Sequence, residues 1–427
     1  MEYFKVKGNT KLSGVFEPKG NKNAALPLIA ATLLTDKEVI LNNLPDIEDV
    51  KIMLKIIEKL GAEVTKLNKN KVKIKANKIK EIKIDPELGS LIRTSILLAG
   101  PLLARCGEVI LSKPGGDGIG RRRLDTHFLV FQLLGATVEF NNEIHLKTNK
   151  LQGKYLFLDE ASVTATENAI MASVLAEGET TIYNAACEPH IQDLCNFLNS
   201  LGANIKGIET NKLVIEGVKS LKGGKWSVIS DHIEVGSMIG LAAITHSELT
   251  ITGTIPQHYI NIKKYYNKLG VDFAINENSL FIPAEQKLIA ESDFDGAHST
   301  LSDSIWPGFP SDLTSIALVV ATQIKGTTLI FEKMFESRLF FTDKLIGLGA
   351  KIILCDPHRA VVTGPSKLYS GKITSPDIRA GMAMLISALV AEGESSIYNI
   401  RQIDRGYERI DERLNALGAD IQRVKID

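Results

Sequence analysis

The chain has 427 residues, and its 50 Lys plus Arg balance its 50 Asp plus Glu. No global field therefore favours nucleic acid or an anionic membrane, and any anionic partner must be met by a local cluster. The length exceeds what one hydrophobic core supports, so two domains of about 200 residues each are expected.

The longest apolar runs, Ala383 to Ala391 and Ile96 to Ala104, fall short of the roughly 20 residues that span a bilayer. The N-terminal stretch MEYFKVKGNT lacks the apolar core of a signal peptide, and Cys106, Cys187, Cys195 and Cys355 show no C-x-x-C spacing. A reduced, cytoplasmic setting is expected, with no membrane partner. No cluster of His, Cys and carboxylates has metal-ligand spacing, so no metal is expected.

In chain order, a Leu-Gly pair followed by Ala or Val recurs at Leu60, Leu134, Leu201, Leu269, Leu348 and Leu417. This marks six repeats of about 70 residues. Each pair closes a helical pattern, as in Ile52 to Leu60, with glycine just past the helix end. A β-prone segment follows, as in Glu63 to Thr65, Thr137 to Phe140 and Asn204 to Lys206.

Each repeat also carries an earlier helix that is apolar on nearly all sides and so should be buried. These helices are expected at Ala24 to Leu34, Thr94 to Ala104, Thr166 to Ala176, Val235 to Ile244, Leu313 to Thr322 and Gly381 to Val390. Strands should follow at Glu38 to Leu41, Glu108 to Leu111, Thr180 to Tyr183, Glu248 to Ile251, Thr327 to Phe331 and Ser395 to Tyr398. The alternation makes the fold α/β (α+β).

Helix N-termini carry free N–H groups and partial positive charge, which suits anions. Before or within the first turn of the six buried helices stand Lys22 with Asn23, Arg93, Ser162 with Thr164, Asp231 with Glu234, Asp312, and Asp377 with Arg379. A second set lies beyond the following strands: Asp49, Arg122, Glu188, His258, Arg338 and Arg405. Thr166 is expected only to cap its helix, and Asp231 and Glu234 to cap and anchor. Arg379 has two readings, an anion holder or the ion-pair partner of Asp377. Lys22 and Arg93 lead into apolar helices, where a charge is costly unless an anion meets it. Trp226 and Trp306 are expected to pack rather than stack on bases, since interleaved aromatics and excess basic charge are missing.

The stretch KPGGDGIGRRRLDTH, Lys113 to His127, adds a glycine-rich loop and three arginines around one carboxylate, Asp117. It matches neither a Walker loop nor G-x-G-x-x-G.

These words in this order, GNKNAALPL from Gly20, PGGDGIGRRRLD from Pro114, ASVTATEN from Ala161, FPSDL from Phe309, FESR from Phe335, PDIRAG from Pro376 and IDRGYERI from Ile403, resemble the UDP-N-acetylglucosamine enolpyruvyl transferases, or 1-carboxyvinyltransferases. The resemblance runs through the whole chain. It implies an inside-out α/β barrel in each of two domains, residues 22–230 with the catalytic loop 113–127, and residues 1–21 with 231–427. It also implies transfer of the enolpyruvyl group of phosphoenolpyruvate to the 3-hydroxyl of UDP-N-acetylglucosamine, with phosphate released, in the first committed step of peptidoglycan synthesis. Both partners are small molecules; no cofactor is implied, and no nucleic acid or obligatory protein partner is inferred.

Carried over by motif, Lys22, Asn23, Arg122, Arg338, Arg379 and Arg405 would hold phosphoenolpyruvate. Guanidinium forks suit its phosphate and carboxylate. Asp117 would be the general acid and Asp312 the group that takes or orients the hydroxyl proton, with Lys22 and Arg405 also catalytic. Asn23, Arg93, Arg122, Arg123, Leu124, Asp125, Thr126, Ser162, Val163, Asp312 and Met334 would contact the sugar nucleotide.

The chain departs from the family's usual pattern at four positions. Asp117 stands where most members have cysteine, which predicts insensitivity to the thiol-alkylating epoxide fosfomycin. Glu160 stands where many have lysine, Thr164 for glycine and His232 for arginine. Two alternatives are enolpyruvyl transfer to another acceptor, of the shikimate-phosphate type, and a non-catalytic paralogue that binds sugar nucleotide. Asn23 and FPSDL disfavour the first. The joint presence of Lys22, Arg122, Asp312, Arg338 and Arg405 disfavours the second.

Overall fold

The computed structural model describes residues 2–116, 120 and 122–425. Asp117 and Arg121 lie outside the described residues. Contacts divide the described residues into two compact units, one built on residues 20–116 and 122–229, the other on residues 2–19 and 230–425. Each has a hydrophobic core made entirely of its own residues.

Among the described residues each unit holds three small sheets. In the unit of residues 20–229 the strand Glu38–Asn42 pairs antiparallel with Lys71–Lys75 and parallel with Gly224–Ser227. The last strand of the unit thereby joins the first. In the other unit Ser13–Phe16 pairs parallel with Glu248–Thr252, while Glu2–Lys7 lies between Glu394–Tyr398 and Ile421–Lys425, antiparallel to both.

The buried helices are α1 (Lys22–Ala31), α2 (Ala99–Cys106), α3 (Val163–Ser173), α4 (His232–Ile244), α5 (Thr314–Thr322) and α6 (Ile378–Val390). Every residue of α4 and α5 is buried, as helices apolar on all sides require. Glycines Gly61, Gly135, Gly202, Gly270, Gly349 and Gly418 of the six Leu-Gly pairs all have φ between 69° and 109°. Only glycine adopts that conformation without steric cost, which is why the pair marks each turn from helix to strand.

Two sequence expectations are corrected. Residues 93–98 form a 3-10 turn, and the α-helix begins at Ala99. Pro101 has no N–H to return to Leu97, so the α-helical ladder cannot run back through it, and proline sits where it is tolerated, in the first turn. Thr166 is not a cap: it lies inside α3, fully buried, and its Oγ1 accepts the Ala186 N–H at 3.0 Å. The cap is Ser162, whose extended backbone lets its hydroxyl accept from Ala165 N.

The near-identical words LAEGETTIYNAA and LVAEGESSIYNI occupy equivalent places. A side chain on Gly217 would strike the carbonyl oxygen of Ala176, and one on Gly8 that of Ala391. Since the obstacle is backbone, Gly217→Ala and Gly8→Ala are each expected to destabilise their unit by about 1–3 kcal/mol, read as a lower urea midpoint.

Candidate active site

In the unit of residues 20–229, the Asn21 side chain caps α1 by accepting from Ala24 N at 3.0 Å, which places Lys22 at the first helical position. Lys22 is buried, and its Nζ lies 2.6 Å from Oδ2 of buried Asp49, in the first turn of the helix Glu48–Lys59. Asp49 is thus one carboxylate that meets the Lys22 charge. Asn23 beside it is half-buried.

Arg93 donates from one nitrogen to the backbone carbonyls of Arg122 and Arg123, at 2.7 and 3.0 Å. Burial and then the Arg122 charge draw its pKa down to about 10, so it stays cationic at neutral pH. Arg123 pairs with Asp125 at 2.9 Å and lies 4.0 Å from Asp159, whose Oδ1 accepts the Thr126 hydroxyl at 2.8 Å. Half-buried Leu124 lies between them, and Val163 opens α3 behind its cap Ser162. Arg93, residues 122–126 and the start of α3 are thus brought together. The hydrogen bond and charge of Asp125 hold the Arg123 guanidinium more firmly protonated than usual, with smaller contributions from Asp159 and from the exposed Glu160 carboxylate.

Below them His127 is fully packed. Asn168 donates to Ile96 O and to His127 Nδ1, while its Oδ1 accepts from Gly100 N. Nδ1 is therefore an acceptor, and the ring proton sits on Nε2, 3.1 Å from Thr164 Oγ1. Burial, reinforced by Arg93, lowers His127 to about 3, so it is neutral at physiological pH.

In the other unit, Asp312 stands in the single turn Ser311–Leu313 that leads into α5. Its Oδ2 accepts from Arg379 Nη2 and Nε at 2.8 and 3.1 Å, and its Oδ1 lies 3.3 Å from Arg338 Nη2. Both arginines are buried. The pairing of Arg379 with Asp377 is corrected: the Asp377 carboxylate caps α6 by accepting the N–H groups of Arg379 and Ala380. Arg379 also donates to Tyr407 Oη at 3.2 Å, and Tyr407 Oη lies 3.1 Å from Ser237 Oγ. Burial would lower the pKa of Arg379, but the Asp312, Tyr407 and Asp231 charges outweigh it, and the guanidinium is held more firmly protonated than usual.

Arg338 lies over the Phe335 ring at 5.0 Å, with Nε 3.5 Å from Glu332 Oε2. Arg405 follows the short helix Arg401–Asp404 and donates to Gln402 at 2.9 Å. Met334 is 41% exposed, beyond the strand Gly326–Phe331 and before Arg338 in sequence. As expected, Asp231 caps α4, accepting from Ile233 and Glu234, and Glu234 anchors Arg413 at 2.6 Å. Trp226 donates to Asp193 and packs near Phe197.

Sequence reasoning missed Asp49 as the partner of Lys22, and Glu332, Tyr407 and Ser237 as supports of the arginines. Asp49 had a signal, its place in the second set of polar residues, and Tyr407 lies two residues beyond Arg405. Ser237, inside an apolar helix, gave none.

Among the described residues no group of His, Cys, Asp and Glu is placed to hold a metal, and no helix is long and apolar enough to cross a membrane.

The fold is that of the enolpyruvyl transferases. A solved structure of the enolpyruvyl transferase NikO from Streptomyces tendae matches it with a TM-score of 0.88 at 22% identity, covering 100% of this chain and 99% of that one. EPSP synthase from Acinetobacter baumannii matches with 0.76 at 17% identity, over 100% of both chains. Residues 6–414 match the model of the EPSP synthase (3-phosphoshikimate 1-carboxyvinyltransferase) family.

Within that fold class the chain is 52% identical to the UDP-N-acetylglucosamine 1-carboxyvinyltransferase of Treponema denticola, over 99% of both chains. It is 54% identical to that of Bradyrhizobium diazoefficiens, over 98% of this chain and 97% of the relative. It is 53% identical to that of Borreliella burgdorferi over the full length of both. The chain belongs to the UDP-N-acetylglucosamine 1-carboxyvinyltransferase family, and it is a transferase.

Proposed function

We propose that the chain transfers the enolpyruvyl group of phosphoenolpyruvate to the 3-hydroxyl of UDP-N-acetylglucosamine, releasing phosphate, in the cytoplasmic opening step of peptidoglycan synthesis. Cell-wall biogenesis, and with it cell shape and division, would depend on it. The two enolpyruvyl-transferase domains would be residues 22–230 with the loop 113–127, and residues 1–21 with 231–427. The observation that carries the reading is Asp312 held between two buried guanidiniums, Arg338 and Arg379. A carboxylate so placed is oriented by fixed charges that also suit a dianionic ester.

Lys22, Asn23, Arg122, Arg338, Arg379 and Arg405 hold phosphoenolpyruvate. Arg93, Arg122 to Thr126, Ser162, Val163 and Met334, with Asn23 and Asp312, hold the sugar nucleotide. Asp312 draws the proton from the sugar hydroxyl as its oxygen bonds to C2 of phosphoenolpyruvate, and Asp117 protonates the methylene carbon. Loss of that carbon's proton and of phosphate then restores the double bond. Phosphoenolpyruvate, by neutralising the arginines around Asp117, raises that carboxyl toward its acid form.

Phosphate release is the test. Turnover with phosphoenolpyruvate and UDP-N-acetylglucosamine, and none with shikimate 3-phosphate, is expected; release with neither acceptor refutes the proposal. Fosfomycin supplies a further prediction. No time-dependent inactivation is expected with Asp117 in place, because a carboxylate replaces the thiolate that the epoxide alkylates. Among the remaining cysteines, burial pushes Cys187 and Cys195 up to about 11 and about 12, away from reactive thiolates. Asp117→Cys should gain rapid inactivation, followed as residual activity against time of exposure.

A further inference from the structure

Asp312 and Arg338 are held by groups that the proposed reaction does not use. Glu332, just past the strand Gly326–Phe331, has no exposed surface. Its Oε1 accepts the Ser311 hydroxyl at 2.8 Å and the Phe335 N–H at 3.1 Å. Its Oε2 lies 3.1 Å from Ser311 Oγ and 3.5 Å from Arg338 Nε. One carboxyl group therefore touches the residue before Asp312, the turn that carries Arg338, and Arg338 itself.

The other neighbour of Glu332 is Asp303, which also has no exposed surface and follows the strand Thr300–Ser302. Asp303 Oδ1 accepts the backbone N–H of Lys333. Its Oδ2 is buried and meets no donor among the described residues. The parallel ladder that pairs Ser302 with Phe331 runs on to set Asp303 beside Glu332, with the Asp303 N–H donating to Phe331 O at 3.3 Å. Two carboxylates this close and this dry do not both ionise, and a proton between them satisfies the orphaned oxygen. Burial raises the Glu332 pKa, Arg338 opposes, and Asp303 raises it again, to about 8 overall. Charged or titratable neighbours among the described residues include Asp312, Arg379 beyond it, and His358, whose Nδ1 lies 2.7 Å from the Glu332 backbone carbonyl. None of these is a donor to Asp303 Oδ2.

We propose that Asp303 and Glu332 share one proton and act as a positioning pair that fixes the Ser311–Asp312 turn against Arg338, giving enolpyruvyl transfer an alkaline limit of its own. The inference rests on the roles assigned above to Asp312 and Arg338. As pH rises the shared proton passes to solvent and the pair becomes two facing carboxylates. Their repulsion loosens the join between the ends of the two strands, and Asp312 loses its alignment with Arg338.

The full-length protein and its Asp303→Asn variant decide the matter. Asparagine keeps an oxygen for Lys333 N–H and offers Glu332 a permanent donor, so it imitates the protonated pair without titrating. In the wild type kcat/KM should fall about tenfold per pH unit beyond the Glu332 transition. In Asp303→Asn that fall should move up by more than about one unit. Glu332→Gln tests the same point from the other partner if Asp303→Asn folds poorly. An alkaline limb unmoved in both variants overturns the proposal.

Melting temperature against pH gives a readout that needs no turnover. Glu332 keeps its proton in the folded state well above the ordinary value of 4.5. Stability from this pair is therefore full below that value, declines as pH rises toward the folded pKa, and is level beyond it. Asp303→Asn should flatten that decline, and equal slopes in wild type and variant count against the shared proton. A flattened slope in a protein that releases no phosphate with UDP-N-acetylglucosamine would leave the pair standing and sink the proposed reaction instead.

Discussion

Asp312→Asn is expected to lower kcat by about two to four orders of magnitude, the usual contribution of a positioned general base. Steady-state phosphate release would measure it. The amide keeps the shape and one acceptor oxygen, so the loss reports charge and basicity rather than packing. Asp312 lies 2.8 Å from Arg379 and 3.3 Å from Arg338, and without its charge those two guanidiniums lose the carboxylate they share. A stability loss of about 1–3 kcal/mol should accompany the kinetic one. The division between constants discriminates roles. A loss confined to kcat marks a proton acceptor, whereas a rise in KM for phosphoenolpyruvate with kcat preserved would show that Asp312 only orders the arginines.

Lys22→Met is expected to be the most destabilising substitution at the site, costing about 3–5 kcal/mol, because it leaves the Asp49 carboxylate buried without its ammonium partner. The two groups lie 2.6 Å apart with side-chain exposures of 10% and 4%, so solvent screens the pair little. Equilibrium unfolding in urea would read the loss, and phosphoenolpyruvate binding should vanish with it. Adding Asp49→Leu should restore most of the stability without restoring binding, since an apolar pair of similar volume carries no desolvation cost. A double variant that regains binding would remove Lys22 from the anion-holding set.

The contrast between these residues shows what could be read from sequence. The six Leu-Gly pairs were legible because the left-handed turn they mark is one that only glycine adopts freely. The buried helices were legible because residues such as those of His232–Ile244 leave no polar face. Ion-pair partners were harder. Arg379 stands beside Asp377 in sequence yet meets Asp312, 67 residues away, because the helix N-terminus claims the nearer carboxylate as its cap. Lys22 likewise meets Asp49 across a strand and a turn. Local sequence records which charges exist, while the tertiary fold decides which of them touch. Thr166 shows the limit of capping rules: a threonine inside an apolar helix can be used instead to receive a distant N–H, that of Ala186.

The placing of Glu2–Lys7 between Glu394–Tyr398 and Ile421–Lys425 has a consequence for biogenesis. Glu2–Lys7 is made before residues 20–229 yet completes its pairing only after Glu394–Tyr398 and Ile421–Lys425 have been made. The unit of residues 20–229, whose own first and last strands already pair, can condense while translation continues. Loss of the strand Ile421–Lys425 would thus leave one edge of Glu2–Lys7 unpaired while the unit of residues 20–229, made between them, keeps its own pairing.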